Sequence, residues 1–168
     1  MKQFIGTKVV NATPMNRQGY NDLRNWVLPD DENGADEGYL VEYTDGGAPN
    51  HQGYKGYISW SPKAQFDKAY VETSGLTFGT ALEAIKLGHK VARAGWNGKD
   101  MWIAYSPGAK HVTAGQFWSP ANSAYAHARE GRTAEVLPCV TMKTATGEIL
   151  MGWLASQSDM LAEDWSIV

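Results

Sequence analysis

The sequence predicts an α+β fold: an antiparallel sheet with a few short helices, arranged as a small β-α-β-β-α N-terminal module followed by a helix-plus-sheet module. Three observations predict it. Short β-branched or alternating runs (Tyr39 to Tyr43, Met101 to Tyr105, Cys139 to Lys143) are joined by turn residues, not crossover helices, which favours antiparallel pairing. Helical periodicity is confined to brief stretches such as Phe78, Leu82 and Ile85. Glu72-Thr73-Ser74-Gly75 reads as a short linker, dividing residues 1–75 from 76–168.

Each element has a local reason. Residues 4–13 (FIGTKVVNAT) have strand content that Pro14 ends, and Asn16 caps a helix over Tyr20, Leu23 and Trp26 that Pro29 stops. The acids Asp30, Asp31, Glu32, Asp36 and Glu37 surround Asn33-Gly34 in a solvated loop whose spacing matches no calcium site. Strands follow at Tyr39–Tyr43 and Gly56–Trp60, then a helix through Phe66 and Tyr70 with Ser61 as N-cap and Pro62 at its first position. In the second module Thr80 and Glu83 fit a capping box, and Gly88 supplies the left-handed residue that ends the helix. A strand carrying Arg93 leads to a hairpin turn at Asn97-Gly98 and a strand Met101–Tyr105. Residues 108–137 are too long for an ordinary connection, and are either an ordered functional loop or hold a short helix near Ala121–Arg129. Strands Cys139–Lys143 and Glu148–Trp153 form a hairpin, Ser158 caps a turn over Asp159 to Glu163, and Trp165–Val168 is an edge strand.

Composition bounds the function. A hydrophobic share of 43% and a charged share of 20% describe a globular chain with a real core. A net charge of −3 argues against DNA or RNA as partner, so an anionic ligand must be met by a few placed cations. The single Cys139 rules out an internal disulfide and favours a reducing compartment. No apolar run reaches the roughly 20 residues of a membrane span, and the N-terminus has no signal-peptide core. The expectation is therefore a soluble, cytosolic protein. His89, His111 and His127 have no zinc spacing, no phosphate-binding glycine motif occurs, and no cofactor or metal is expected.

The chemistry concentrates at the turn. Arg93, Trp96, Asn97 and Lys99 bring together a guanidinium, an indole, an amide and an ammonium, which suits a ligand with a ring to stack on and phosphates to neutralise. Near the C-terminus Trp153, Ser156, Gln157 and Asp159 form a second polar and aromatic group. Simpler duties exist for each: Arg93 can pair with Glu163 or Asp164, the two tryptophans can be core or interface, and Asp159 can be a helix-start charge.

Residues 76–98 (LTFGTALEAIKLGHKVARAGWNG) and 150–168 (LMGWLASQSDMLAEDWSIV) resemble the two signature blocks of the Thoeris anti-defence protein two family of phages, and 137–145 (LPCVTMKTA) is similar to the family's middle strand. The resemblance implies a sponge, not an enzyme. Members bind and sequester the cyclic ADP-ribose signal of TIR-domain immunity, and some hold cyclic oligonucleotides at separate sites, within the infected host cell. It also implies a homo-oligomer, a tetramer, with ligand pockets between subunits. On that footing Trp96 stacks on adenine, Arg93 and Lys99 take the phosphates, and Asn97, Ser156, Gln157 and Asp159 meet base edge and ribose hydroxyls. Residues 1–75 have no counterpart in short members, although GYLVEY…GYISWSP resembles a small module of phage proteins, and 106–137 departs from the compact members' loop. Within that segment Trp118, His127, Arg129 and Arg132 are candidates for a second ligand site. Two other readings stand beside the sponge: a nucleotide- or glycan-processing hydrolase using Asp159, Glu163 and Asp164, and a phage assembly module without a small ligand.

Overall fold

A computed structural model describes residues 2–3 and 7–168. It divides into two compact units, Met1–Glu72 and Thr73–Val168. All strand pairs are antiparallel among the described residues, as the turn-rich connections predict.

The first unit runs β1 (Val10–Pro14), α1 (Arg17–Arg24), β2 (Gly38–Tyr43), β3 (Tyr57–Pro62) and α2 (Lys63–Ala69), with sheet order β1-β2-β3. The expected first strand is thus shorter, residues 7–9 are outside it and 4–6 lie outside the described residues. Asn16 does cap α1, its side chain accepting from the Gly19 N–H at 2.8 Å. The helix ends earlier than Pro29, because Asn25 adopts the left-handed conformation (φ 55°) and leaves Trp26 beyond it. Ser61 is not a cap. It pairs with Tyr39 inside β3, so the strand passes straight into α2 through Pro62.

Alternation along β2 sends neighbours to opposite faces of the sheet. Leu40 packs with Tyr20 and Ile58, flanked by Leu23 and Trp60, while Tyr39 stacks on Phe66 of α2 with ring centroids 4.2 Å apart. In the acidic loop Glu32 is paired with Arg17, and no group of three metal-ligating side chains occurs among the described residues.

The second unit holds β4 (Ser74–Leu76), α3 (Phe78–Lys86), β5 (Val91–Arg93), β6 (Trp102–Ser106), β7 (Ala109–Thr113), α4 (Pro120–Ala128), β8 (Thr133–Val136), β9 (Cys139–Lys143), β10 (Ile149–Met151), α5 (Gln157–Met160) and β11 (Trp165–Ile167). Six strands form one sheet in the order β10-β9-β6-β5-β11-β4. Against one face α3 buries Ala81, Ala84 and Ile85 on Val91, Ile103, Met142, Leu76 and Trp165. Strands β7 and β8 form a separate two-stranded ribbon. The long segment is therefore ordered, with α4 at the place where a short helix was one of two expectations.

Several local expectations are corrected. Thr77, not Thr80, caps α3, accepting from the Thr80 N–H at 3.3 Å. Ser156, not Ser158, caps α5, in a reciprocal box with Asp159. The last strand, β11, is internal, lying between β5 and β4. The supposed linker contributes to the sheet, since Ser74 pairs with Ser166 and Leu76 with Trp165. The turn after β5 is not built on left-handed Asn97 or Gly98. The left-handed residue there is Asp100 (φ 55°), and Gly98 is packed against Met101 and Ala145 so closely that a Cβ would lie 2.8 Å from the Ala145 methyl.

Candidate functional site

The two polar groups singled out in the sequence converge. Arg93 ends β5, Trp96 lies on the following loop, and Asp159 sits in the one-turn helix α5. The Arg93 Nη1 donates to Asp159 Oδ1 at 2.8 Å, and the Trp96 indole N–H donates to the same oxygen at 3.1 Å. The other oxygen, Oδ2, accepts from the Ser156 N–H at 3.0 Å and from its hydroxyl at 2.7 Å. On the far side of the guanidinium, Nε donates to Asp164 Oδ1 at 2.7 Å, while Asp164 Oδ2 accepts from the Gly95 N–H at 2.7 Å. One arginine thus ties together β5, the loop after it, α5 and the approach to β11.

Burial sharpens the electrostatics. Asp159 is 8% exposed, and burial pushes its carboxyl up, yet the bonds from Ser156, Arg93 and Trp96 outweigh this and hold it at about 2. Arg93 holds the Asp164 carboxyl below its ordinary value, and the two carboxylates raise the guanidinium in return, Asp164 first. Both acids are ionised at neutral pH, so neither is placed to act as the protonated general acid that a glycosidase needs.

An aromatic triad underlies this knot. Trp96, Trp153 and Trp165 meet edge to face, with centroids 5.2 to 6.4 Å apart, and Trp165 is fully buried. Its indole N–H donates to the Asp159 carbonyl at 3.1 Å. Trp96 and Trp153 are partly buried and pack against the core. Asn97, Lys99 and Gln157 are exposed beside them in the chain.

Of the eight residues named from the sequence, the structure joins Arg93, Trp96, Ser156 and Asp159 by hydrogen bonds and adds Trp153 by ring contact. Asn97, Lys99 and Gln157 make no side-chain hydrogen bond or ion pair among the described residues and stay outside the knot. Sequence reasoning gave Asp164 only as an alternative ion-pair partner and missed Trp165 as the centre of the cluster. The DMLAEDW run carried the signal: three carboxylates, of which Asp159 and Asp164 are used, and an indole at fixed offsets in one short segment.

The second group is dispersed. Trp118 is 88% exposed just before α4, His127 and Arg132 are exposed, and Arg129 donates to the Tyr125 hydroxyl at 2.7 Å with its guanidinium 5.4 Å from that ring. Arg132 and His111 both adopt left-handed backbone, φ 52° and 59°. None of the four is joined to another by a hydrogen bond among the described residues.

The geometry defines a class: a small α+β domain in which a helix covers an antiparallel sheet and an Arg–Asp–Trp knot locks its C-terminal turn. The Tad2-like family model, described as the Thoeris anti-defense 2-like domain, matches residues 76–168, and the chain belongs to that family. The Thoeris anti-defense 2 protein of Bacillus phage SP01 is 36% identical over 93 residues, which is 55% of this chain and 94% of that relative. The matched span includes the β7–α4–β8 segment and leaves residues 1–75 outside. No helix among the described residues is long and apolar enough to cross a membrane.

Proposed function

We propose that this protein is a phage counter-defence protein that binds and sequesters a cyclic ADP-ribose immune signal, glycocyclic ADP-ribose, and releases it chemically unchanged. The observation that carries the reading is the convergence of the two signature blocks. Arg93 and Trp96 from one meet Trp153, Ser156 and Asp159 from the other, more than fifty residues on, inside a domain of the Thoeris anti-defense 2-like family.

The hydrogen bonding refines the roles. Arg93, held by Asp159 and Asp164, and Asp159, held by Arg93, Trp96 and Ser156, act as the frame, while the partly buried Trp96 and Trp153 would offer apolar surface to a base. Asn97, Lys99 and Gln157 supply a free amide, a cation and a second amide for base edge, pyrophosphate and ribose. Such a set on one surface is open, and nanomolar capture corresponds to about −12 kcal/mol, so a second copy closes the pocket in a homo-oligomer, a tetramer. The exposed arm bearing Trp118, His127, Arg129 and Arg132 is the place for a second ligand, a cyclic oligonucleotide.

The test is incubation of the purified protein with the cyclic signal followed by heat denaturation and analysis of what is released. Intact ligand together with a raised melting temperature is the expected result. Release of ADP-ribose or another product would make the protein a hydrolase, and no change in melting temperature with any cyclic nucleotide would favour an assembly module.

A further inference from the structure

The six-stranded sheet has two outer strands, and they are built differently. At one margin β4 is short, carries the left-handed Gly75 (φ 74°), shifts register against β11 and buries its one large side chain, Leu76. Such features keep an edge from pairing with another chain. At the other margin β10 has none of them. Ile149, Leu150 and Met151 are 52%, 48% and 45% exposed, and the chain runs on through Gly152 and Trp153 to the exposed Leu154. Trp153 stays beside β9, its N–H donating to the Val140 carbonyl at 2.8 Å. Residues 149–154 thus form an edge of roughly 20 Å without a charge or a proline.

Backbone alternation says which groups this edge offers. The Thr144 N–H donates to the Glu148 carbonyl at 2.9 Å, which makes that pair a bonded one. Bonded and unbonded pairs alternate along an antiparallel ladder. Met142 and Leu150 therefore bond next, and Ile149 and Met151 turn their N–H and C=O groups outward. Leu150 lies on the sheet face of Met142, against α3, while Ile149 and Met151 share the opposite face with Lys143 and Thr141.

These groups are self-complementary. With Leu150 opposite its own copy across a two-fold axis, Ile149 of each chain faces Met151 of the other, and four backbone hydrogen bonds form from the outward groups. The two sheets become one, with both α3 helices on the same side. Charge permits this register. Glu148, whose carboxylate already accepts from the Thr144 and Thr146 hydroxyls, falls opposite Gly152 of the second copy. The two Glu148 positions stand roughly 14 Å apart along the strands, beyond the reach of screened repulsion.

We infer that β10 is a self-pairing edge, on which a second copy of this chain docks antiparallel with Leu150 at the two-fold axis. This deepens the homo-oligomer of the proposed function by naming its face. On that reading, the same register brings the turn at Gly147 of the second copy alongside Trp153 of the candidate site.

The experiment reads mass and register and needs no ligand. Sedimentation of the full chain at about 100 μM, where a micromolar pair is assembled, should give a multiple of two chains. Leu150→Lys sets two ammonium groups face to face and should halve the mass while circular dichroism stays unchanged. In a Cys139→Ser background, Leu150→Cys should form a two-chain disulfide on mild oxidation at least about tenfold faster than Ile149→Cys. An unbonded antiparallel pair holds its Cα atoms about 4.5 Å apart, within disulfide reach, whereas position 149 faces Met151. The cysteine variants carry the test should the lysine variant fail to fold. A monomeric parent, an unchanged mass in Leu150→Lys, or equally fast cross-linking at both positions would each overturn the inference. Capture of the cyclic signal is measured separately, so a monomer that still captures it refutes this edge and not the sponge.

Discussion

Arg93 and Asp159 stand 66 positions apart in the chain and meet through a 2.8 Å hydrogen bond with only 15% and 12% of their side chains exposed. An ion pair so shielded is a fastener only while every lone pair is used, and Asp159 uses its oxygens four times. Replacing one oxygen by an amide in Asp159→Asn sets N–H against N–H at either Ser156 or Arg93. We expect a loss of about 2–4 kcal/mol, softened because Arg93 keeps Asp164. Urea unfolding of the variant measures it, and an unchanged midpoint would show that the knot is not structural.

The same carboxylate sets an acid limit. Its folded value of about 2 lies below the ordinary 3.8, so its contribution is complete above about pH 4 and is lost as pH falls through 2. The difference corresponds to roughly 2 kcal/mol, and Asp164 is shifted in the same direction. The gap in urea midpoint between parent and Asp159→Asn should therefore be narrower at about pH 2.5 than at about pH 7, since partial protonation removes part of what the substitution already lacks. A constant gap across that range would assign the stability elsewhere.

Much of the fold was legible because it depends on local chemistry. Alternation placed β2 and β9, and the Asn16 cap and the left-handed Gly88 (φ 95°) follow from side chains a few positions away. What escaped was decided by distant partners. Trp165 reads as the start of a terminal edge strand until Leu76 pairs on one side of it and Arg93 on the other. Arg93 reads as a phosphate-binding cation until Asp159 and Asp164 occupy it. The caps moved by a turn or less because Thr77 and Thr80, or Ser156 and Ser158, are chemically equivalent candidates and only backbone conformation chooses between them.

The turn after β5 makes a prediction with opposite signs at two positions with one residue between them, Gly98 and Asp100. Asp100 carries the left-handed backbone, so Asp100→Gly should range from neutral to about 1 kcal/mol stabilising. Gly98 has ordinary backbone but no room, because a Cβ would press on Met101 and the Ala145 methyl, and Gly98→Ala should cost about 1–3 kcal/mol. Thermal melts of the two variants check this, and the reverse order would restore a left-handed Gly98.

The unit boundary can be tested by trimming. Thr73 accepts from the Ile167 N–H at 2.9 Å, and Leu76, 3% exposed, pairs with Trp165. A fragment of residues 73–168 keeps these bonds, and a fragment of 77–168 loses all of β4. The shorter one should be less stable by at least about 2 kcal/mol, the worth of burying one leucine, and should associate through the bared edge of β11. Equal melting of the two fragments would show that β4 adds nothing to the sheet.

Binding and stability should separate within the candidate site. Lys99 and Asn97 are exposed, so Lys99→Ala or Asn97→Ala should leave the melting temperature in place. If they meet the pyrophosphate and the base edge, each should weaken capture of the cyclic ADP-ribose signal about tenfold or more, since one charge-assisted bond is worth about 1.5–3 kcal/mol. Arg93→Ala behaves differently, because it leaves Asp159 and Asp164 facing each other without a counter-charge and lowers melting temperature and capture together. Calorimetric titration beside thermal melts distinguishes the two kinds of loss. Parental affinity in both Lys99→Ala and Asn97→Ala would move the ligand away from these two side chains, since Arg93 is already committed to its two carboxylates.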